Sequence, residues 1–333
     1  MSPLKALGYA LSSEEHAPND LVRNAVQAEE IGFSFALISD HFHPWVSAQG
    51  HSPFVWSVIG AIAHATTELR LGTGVTCPTI RIHPAIIAQA AATAAAMMPG
   101  RFFLGVGTGE NLNEHIAGDR WPPHDLRLAM LDEAIDVIRA LWTGETVSHW
   151  GEFYTVEDAK LFTLPEQAPP IYMAGSGPAA VAAAGELADG LISTAPDAKL
   201  IEAFEQAGGS GKPRYCQHTV CWAKTEQEAK RIVHKVWPTS ALGGELSQEL
   251  RTVAHFEQAV KPFDEEATAK SLVCGPDPQK HIEALQKYID AGFDHVYIHQ
   301  VGHDQAGFFD FYAREVLPHF EKQMAASPSR ATA

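Results

Sequence analysis

Short apolar runs alternate with amphipathic stretches along the whole chain. Eight runs read as strands buried on both faces: Leu7 to Leu11, Phe33 to Ser39, Leu69 to Thr76, Arg101 to Gly107, Ile171 to Gly175, Gly190 to Thr194, Tyr215 to Ala223 and His295 to Gln300. Helical patterns lie between them. Asp20 to Ile31 places Leu21, Val22, Ala25, Ala28 and Ile31 on one face. Pro84 to Met98 opens on a proline in the tolerated first turn and stops at Pro99-Gly100. Buried strands alternating with helices predict a parallel sheet covered by helices, and eight units favour a closed (β/α)8 TIM barrel over an open doubly wound sheet. Two segments break the alternation: an extra hairpin near Trp150-Gly-Glu-Phe-Tyr, and a mostly helical insertion from Ser240 to Ala269. A single barrel domain over 1–323 is expected, with 324–333 as a flexible Ala/Ser/Pro tail.

The length of 333 residues and a 46% hydrophobic content suffice for a core that needs no metal or disulfide staple. A net charge of −16 and the absence of any Lys/Arg run exclude a non-specific nucleic-acid binder. No apolar stretch is long and uninterrupted enough for a membrane span, and the N-terminus has no apolar signal region. Cys77, Cys216, Cys221 and Cys274 show no CxxC spacing, which fits reduced thiols in a cytoplasmic protein. The 17 histidines include His41 and His43 one residue apart, but no further ligand stands at a recognisable spacing, so no metal site is expected.

Barrel enzymes carry their chemistry at the C-terminal strand ends. The second strand runs into Ser39-Asp40-His41-Phe42-His43-Pro44-Trp45, and the third ends in Gly72-Thr-Gly-Val-Thr-Cys-Pro78. The fourth runs into Gly105-Val-Gly-Thr-Gly-Glu110-Asn-Leu-Asn113, the fifth into Gly175-Ser176-Gly177-Pro178, and the sixth closes on Ser193-Thr194. His41 is a residue type that accepts a proton near neutral pH, as oxidation of a hydroxyl requires. On local grounds an Asp–His pair capping a strand end reads equally well. Glu110 follows a turn whose small residues admit a flat ring or phosphate, yet it also suits an ordinary helix N-terminus. Gly105 to Gly109 lacks the spacing of the dinucleotide fingerprint, whereas Gly175-Ser176-Gly177 before a helix is a candidate phosphate cradle.

Taken together, Ser-Asp40-His41-Phe-His-Pro-Trp45, Gly-Thr-Gly74-Val75-Thr-Cys-Pro-Thr, Arg-Ile-His-Pro-Ala-Ile-Ile-Ala-Gln and Phe-Leu-Gly-Val-Gly-Thr-Gly-Glu110-Asn-Leu-Asn113-Glu resemble one family. It is the F420-dependent glucose-6-phosphate dehydrogenase group, with the F420-dependent secondary alcohol dehydrogenases close by, on the luciferase-like barrel. The resemblance runs from Leu7 to about Phe320. It implies coenzyme F420 as cofactor and a small-molecule substrate whose carbinol carbon exchanges a hydride with C5 of the deazaflavin. It implies further that Asp40 contacts the ring, that His41 takes the hydroxyl proton, that Glu110 is the acid on the N1 side and that Trp45 walls the reacting centre. A non-proline cis peptide would join Gly74 to Val75 behind the ring. Thr108, Gly109, Asn113, Ser176 and Gly177 match positions that hold the ring and the phosphate tail. Relatives of this kind are usually homodimers.

Cys77 stands where sugar-phosphate members carry Thr, and Asp197 where they carry Lys, with Lys199 two residues on. A phosphate dianion needs a cationic clamp, for which Lys261, Lys270 and Lys280 are candidates. Cys77, Thr194, Lys199 and Lys261 are therefore the expected substrate-side residues, and an alcohol stands slightly ahead of a sugar phosphate. An FMN-dependent monooxygenase on the same barrel, an F420H2-dependent reductase and a non-catalytic cofactor carrier are the competing readings. The carrier has no use for His41 and Glu110.

Overall fold

A computed structural model describes residues 4–325. All eight expected strands are present: β1 (Ala6–Leu11), β2 (Phe35–Ile38), β3 (Arg70–Thr73), β4 (Phe102–Val106), β5 (Ile171–Ala174), β6 (Gly190–Ser193), β7 (Arg214–Cys221) and β8 (His295–Gln300). Neighbours in sequence pair in parallel. β8 pairs with β1 through Ile298 opposite Tyr9, and β6 with β7 through Ser193 opposite Cys216, so the sheet closes on itself. A ninth short strand, Val273–Cys274, adds to the upper end of β7.

The strands are buried on both faces because each side has its own core. Inside, Phe35, Leu37, Phe103, Tyr172, Ile192, Tyr215 and Tyr297 fill the barrel, with the Tyr172 and Tyr215 rings 5.0 Å apart. Small residues make room for these rings: a Cβ at Gly72 would lie 2.0 Å from the Phe103 ring. Outside, Leu7, Leu71, Leu104, Met173 and Leu191 pack under the helices. The helix Pro18–Glu30 buries Leu21, Asn24, Ala25 and Ala28, and Pro84–Met97 buries an alanine face that lets Trp142 Nε1 donate to the Ala88 carbonyl at 2.9 Å.

Both irregular segments serve the upper rim. The hairpin Val147–Trp150 with Thr155–Ala159 is held by the Glu133 carboxylate, which accepts from the amides of Glu152, Phe153 and Tyr154. Its Tyr154 hydroxyl donates to the Thr79 carbonyl (3.1 Å) in the loop after β3. The insertion forms the helices Leu246–Glu249, Val253–Val260 and Glu265–Ala269. Glu257 accepts from Ser47 N (3.0 Å), and Asn111 Nδ2 donates to the Glu249 carbonyl (3.0 Å), which docks the insertion on the loops after β2 and β4. Of the expected tail, residues from 326 on lie outside the described residues; 324 and 325 end the last helix, Leu317–Ala325. Among the described residues no helix is long and apolar enough to cross a membrane.

Candidate active site

The C-terminal strand ends bring Asp40, His41, Trp45, the Gly74–Thr79 loop and the Thr108–Glu114 segment to one mouth. Only 11% of the His41 side chain is exposed. Its Nδ1 lies 2.7 Å from Glu14 Oε1, and its Nε2 lies 3.9 Å from Glu110 Oε2. The ring N–H is not aligned on Glu14, so the shorter contact is a charge pairing rather than a formed hydrogen bond. Glu14 also accepts from Ser39 Oγ (2.7 Å) and Ser12 Oγ (3.0 Å). Burial acts to raise the Glu14 pKa, but His41 and Ser39 outweigh it and bring it down to about 2. Burial likewise acts against the charged form of His41, yet Glu14, then Glu110 and Asp40, lift it to about 9.

Trp45 stands edge-on to His41 with centroids 5.1 Å apart, and fully buried Phe256 of the insertion stands edge-on to Trp45 at the same separation. Asp40 is buried, its Oδ2 accepting from Thr76 Oγ1 (2.8 Å) and its Oδ1 from Arg81 Nη2 (3.0 Å). The Gly74–Val75 peptide is cis, and Val75 packs against the barrel interior. Gly109 has φ +75°, and a Cβ there would meet Cys77 Sγ at 2.7 Å, so Cys77 forms the floor of that turn. Burial pushes the Cys77 thiol up, which keeps it neutral. Glu110 precedes the short helix Asn111–Glu114. Asn113 Oδ1 is already taken by the amides of Phe42 and His43, both at 3.0 Å, so only its Nδ2 remains to meet a ligand.

Four further expected residues, Ser176, Thr194, Lys199 and Lys261, are exposed. Asp197 caps its helix by accepting from Lys199 N, and Lys280 is paired with Glu226 at 2.8 Å on the outer wall. Around Gly177, by contrast, a Cβ would meet open space, which leaves the start of the helix Pro178–Leu187 accessible.

Buried polar atoms in folded proteins are almost always paired. Near the strand ends that build this mouth, His16 Nε2, Gln49 Nε2, Asn113 Nδ2 and His299 Nδ1 are not. Each follows or closes the C-terminal end of a strand. Unpaired donors and acceptors ringing a barrel mouth fit a large polar ligand. A model of the luciferase-like monooxygenase family matches residues 4–295. The chain belongs to this family. The luciferase-like chain is 37% identical to an F420-dependent glucose-6-phosphate dehydrogenase of Microbacterium testaceum (strain StLB037), over 97% of this chain and 99% of the relative. It is 38% identical to one of Nakamurella multipartita, over 93% and 95%. A solved F420-dependent secondary alcohol dehydrogenase in complex with an F420-acetone adduct superposes with a TM-score of 0.87 at 26% identity, covering 94% of this chain and 98% of that one.

Three residues of this luciferase-like site escape a reading from strand ends two to six. Glu14 follows β1 in Ser12-Ser-Glu-Glu-His16, a polar run that the same reasoning would have flagged. Arg81 lies beyond the third-strand loop, and Phe256 lies in an insertion whose docking no local pattern announces. Beside Glu14, Glu15 is also buried, 2.9 Å from His299 Nε2.

Proposed function

We propose that the protein is a coenzyme F420-dependent dehydrogenase that moves a hydride between the carbinol carbon of a small hydroxylated substrate and C5 of the deazaflavin. The observation that carries this reading is His41, placed between Glu14 and Glu110 with Trp45 as its apolar wall. The names of relatives that are similar along nearly the whole chain support the cofactor. The unpaired polar atoms at the mouth and the open, glycine-lined turn at Gly177 fit a large polar group.

The deazaflavin, when bound, supplies the hydride acceptor. His41 Nε2, facing the mouth, takes the substrate hydroxyl proton, and Glu14 on the opposite ring edge stabilises the imidazolium that results. Trp45 and Phe256 exclude water from that proton transfer. Asp40, Val75, Thr108, Gly109 and the Nδ2 of Asn113 would hold the ring, with Glu110 as the acid beside it. Ser176 and Gly177 would receive the phosphate tail at the helix N-terminus. On the substrate side an uncharged alcohol is favoured, because Asp197 caps a helix and Lys280 is neutralised by Glu226. A homodimer in the cytoplasm completes the reading; the four buried free thiols accord with a reducing compartment.

The test is an assay of purified protein with oxidised F420, following loss of its visible absorbance with isopropanol and with glucose-6-phosphate. Turnover of the alcohol is expected. Failure to bind F420 would sink the reading, and turnover of the sugar phosphate alone would overturn the substrate assignment.

A further inference from the structure

Arg81 pairs with Asp40 and Glu114, and through them it joins the segments that carry His41 and Glu110. Its side chain is only 6% exposed. Nη2 donates to both the Oδ1 and the main-chain carbonyl of Asp40, each at 3.0 Å. On its other side, Nε lies 3.4 Å from Glu114 Oε1, and the Arg81 amide donates to Glu114 Oε2 at 2.9 Å. Glu114 is one helical turn beyond Glu110, and Asp40 is the residue before His41. One guanidinium thus spans the loops after β2, β3 and β4.

We infer that Arg81 is a positioning residue that sets the placement of Asp40 and His41 relative to Glu110. The inference rests on the dehydrogenase reading above. A fork of fixed geometry suits this task, because it holds two carboxylates and a carbonyl at defined angles at once, where an ammonium of equal charge offers three donors from a single rotating nitrogen and fixes no plane. Charge alone is a weaker explanation. Two carboxylates share one cation here, and burial, supported by Glu110 and Asp40, pushes Glu114 up to about 7 against the pull of Arg81. A group retained simply to neutralise the pocket would not also need to grip the Asp40 carbonyl. Thr76 holds the remaining Asp40 oxygen, so once Arg81 is in place that carboxylate has no freedom left.

The experiment compares wild-type protein with Arg81→Lys, which keeps the charge and removes the fork. Three quantities are read: thermal midpoint, Kd for F420 by fluorescence titration, and kcat and KM with isopropanol. Positioning predicts a midpoint within a few degrees of wild type, an F420 Kd weakened about tenfold and kcat lowered by about tenfold to a hundredfold, with KM little changed. A folded Arg81→Lys with Kd and kcat within twofold of wild type overturns the inference. So does a fall in midpoint with unchanged Kd and kcat, since that marks a purely structural contact. If Arg81→Lys does not fold, Glu114→Ala removes both acceptors of the second anchor while leaving the Asp40 contact. A smaller loss of the same kind supports the inference, and unchanged Kd and kcat overturn it. Wild-type protein that fails to bind F420 overturns the dehydrogenase reading itself, and that outcome is seen before any variant is made.

Discussion

Glu14 Oε1 and His41 Nδ1 lie 2.7 Å apart in a largely buried setting, and each moves the other's titration outward. Glu14 is brought down to about 2 and His41 up to about 9. A base must enter neutral, so alcohol oxidation is expected to rise with pH as His41 loses its proton. The prediction is a kcat/KM profile for isopropanol that climbs from neutrality towards about 9, the His41 value of the free protein. A profile flat from pH 6 to 9 would remove His41 as the base.

Replacing Glu14 by Gln keeps an acceptor for Ser39 but removes the charge facing His41. The acid limb of the profile should move to lower pH by about 1–3 units, and the plateau should drop by about tenfold or more because the base is weaker. Stability follows with a definite sign. His41 is raised in the folded state, so its contribution is complete below its ordinary value near 6.5 and is lost as pH rises through about 9. Glu14 is depressed, so its contribution is complete above 4.5 and is lost as pH falls through about 2. Buried His16, lowered to about 4, and His218, lowered to about 3, weaken both proteins in acid alike and cancel in the comparison. Urea unfolding of wild type and Glu14→Gln should differ most between about pH 4.5 and 6.5 and converge towards pH 9.

Much of this architecture was legible in the chain. Phe35–Ile38 and Phe102–Val106 are apolar on both faces, and a strand of that kind has no stable place outside a helix-covered parallel sheet. Asp40, His41, Trp45 and Glu110 were legible because each stands where an apolar run meets a loop. The pairing that tunes His41 was not, since Glu14 comes from the end of β1 and only barrel closure brings it beside β2. Arg81 and Phe256 were hidden for the same reason: their partners Glu114 and Trp45 are 33 and 211 positions away in sequence.

Phe256 backs Trp45, which in turn stands against His41. Phe256→Ala should cost about 3–5 kcal/mol of stability as a buried large-to-small change, and Phe256→Leu less. Either lets Trp45 retreat. The ratio of kcat/KM for cyclohexanol over isopropanol should rise by about tenfold, the scale of a few methylene contacts. An unchanged ratio in folded Phe256→Leu would mean that the insertion does not limit the substrate.

Gly109 and Gly118 both have positive φ, +75° and +97°, but only the first is crowded. A Cβ at Gly109 would lie 2.7 Å from Cys77 Sγ and 2.9 Å from Glu114 Cγ, whereas at Gly118 it would meet nothing within 4 Å. Gly118→Ala therefore should show only the backbone penalty of about 1–2 kcal/mol, with F420 affinity unchanged. Gly109→Ala carries the same backbone penalty and must also displace Cys77 or Glu114, and with Glu114 the grip on Arg81. Its F420 Kd should weaken by about tenfold or more, beyond what its loss of stability explains. Fluorescence titration beside thermal unfolding separates the two effects. Equal affinities in the two variants would mean that the Thr108–Gly109 turn does not approach the cofactor.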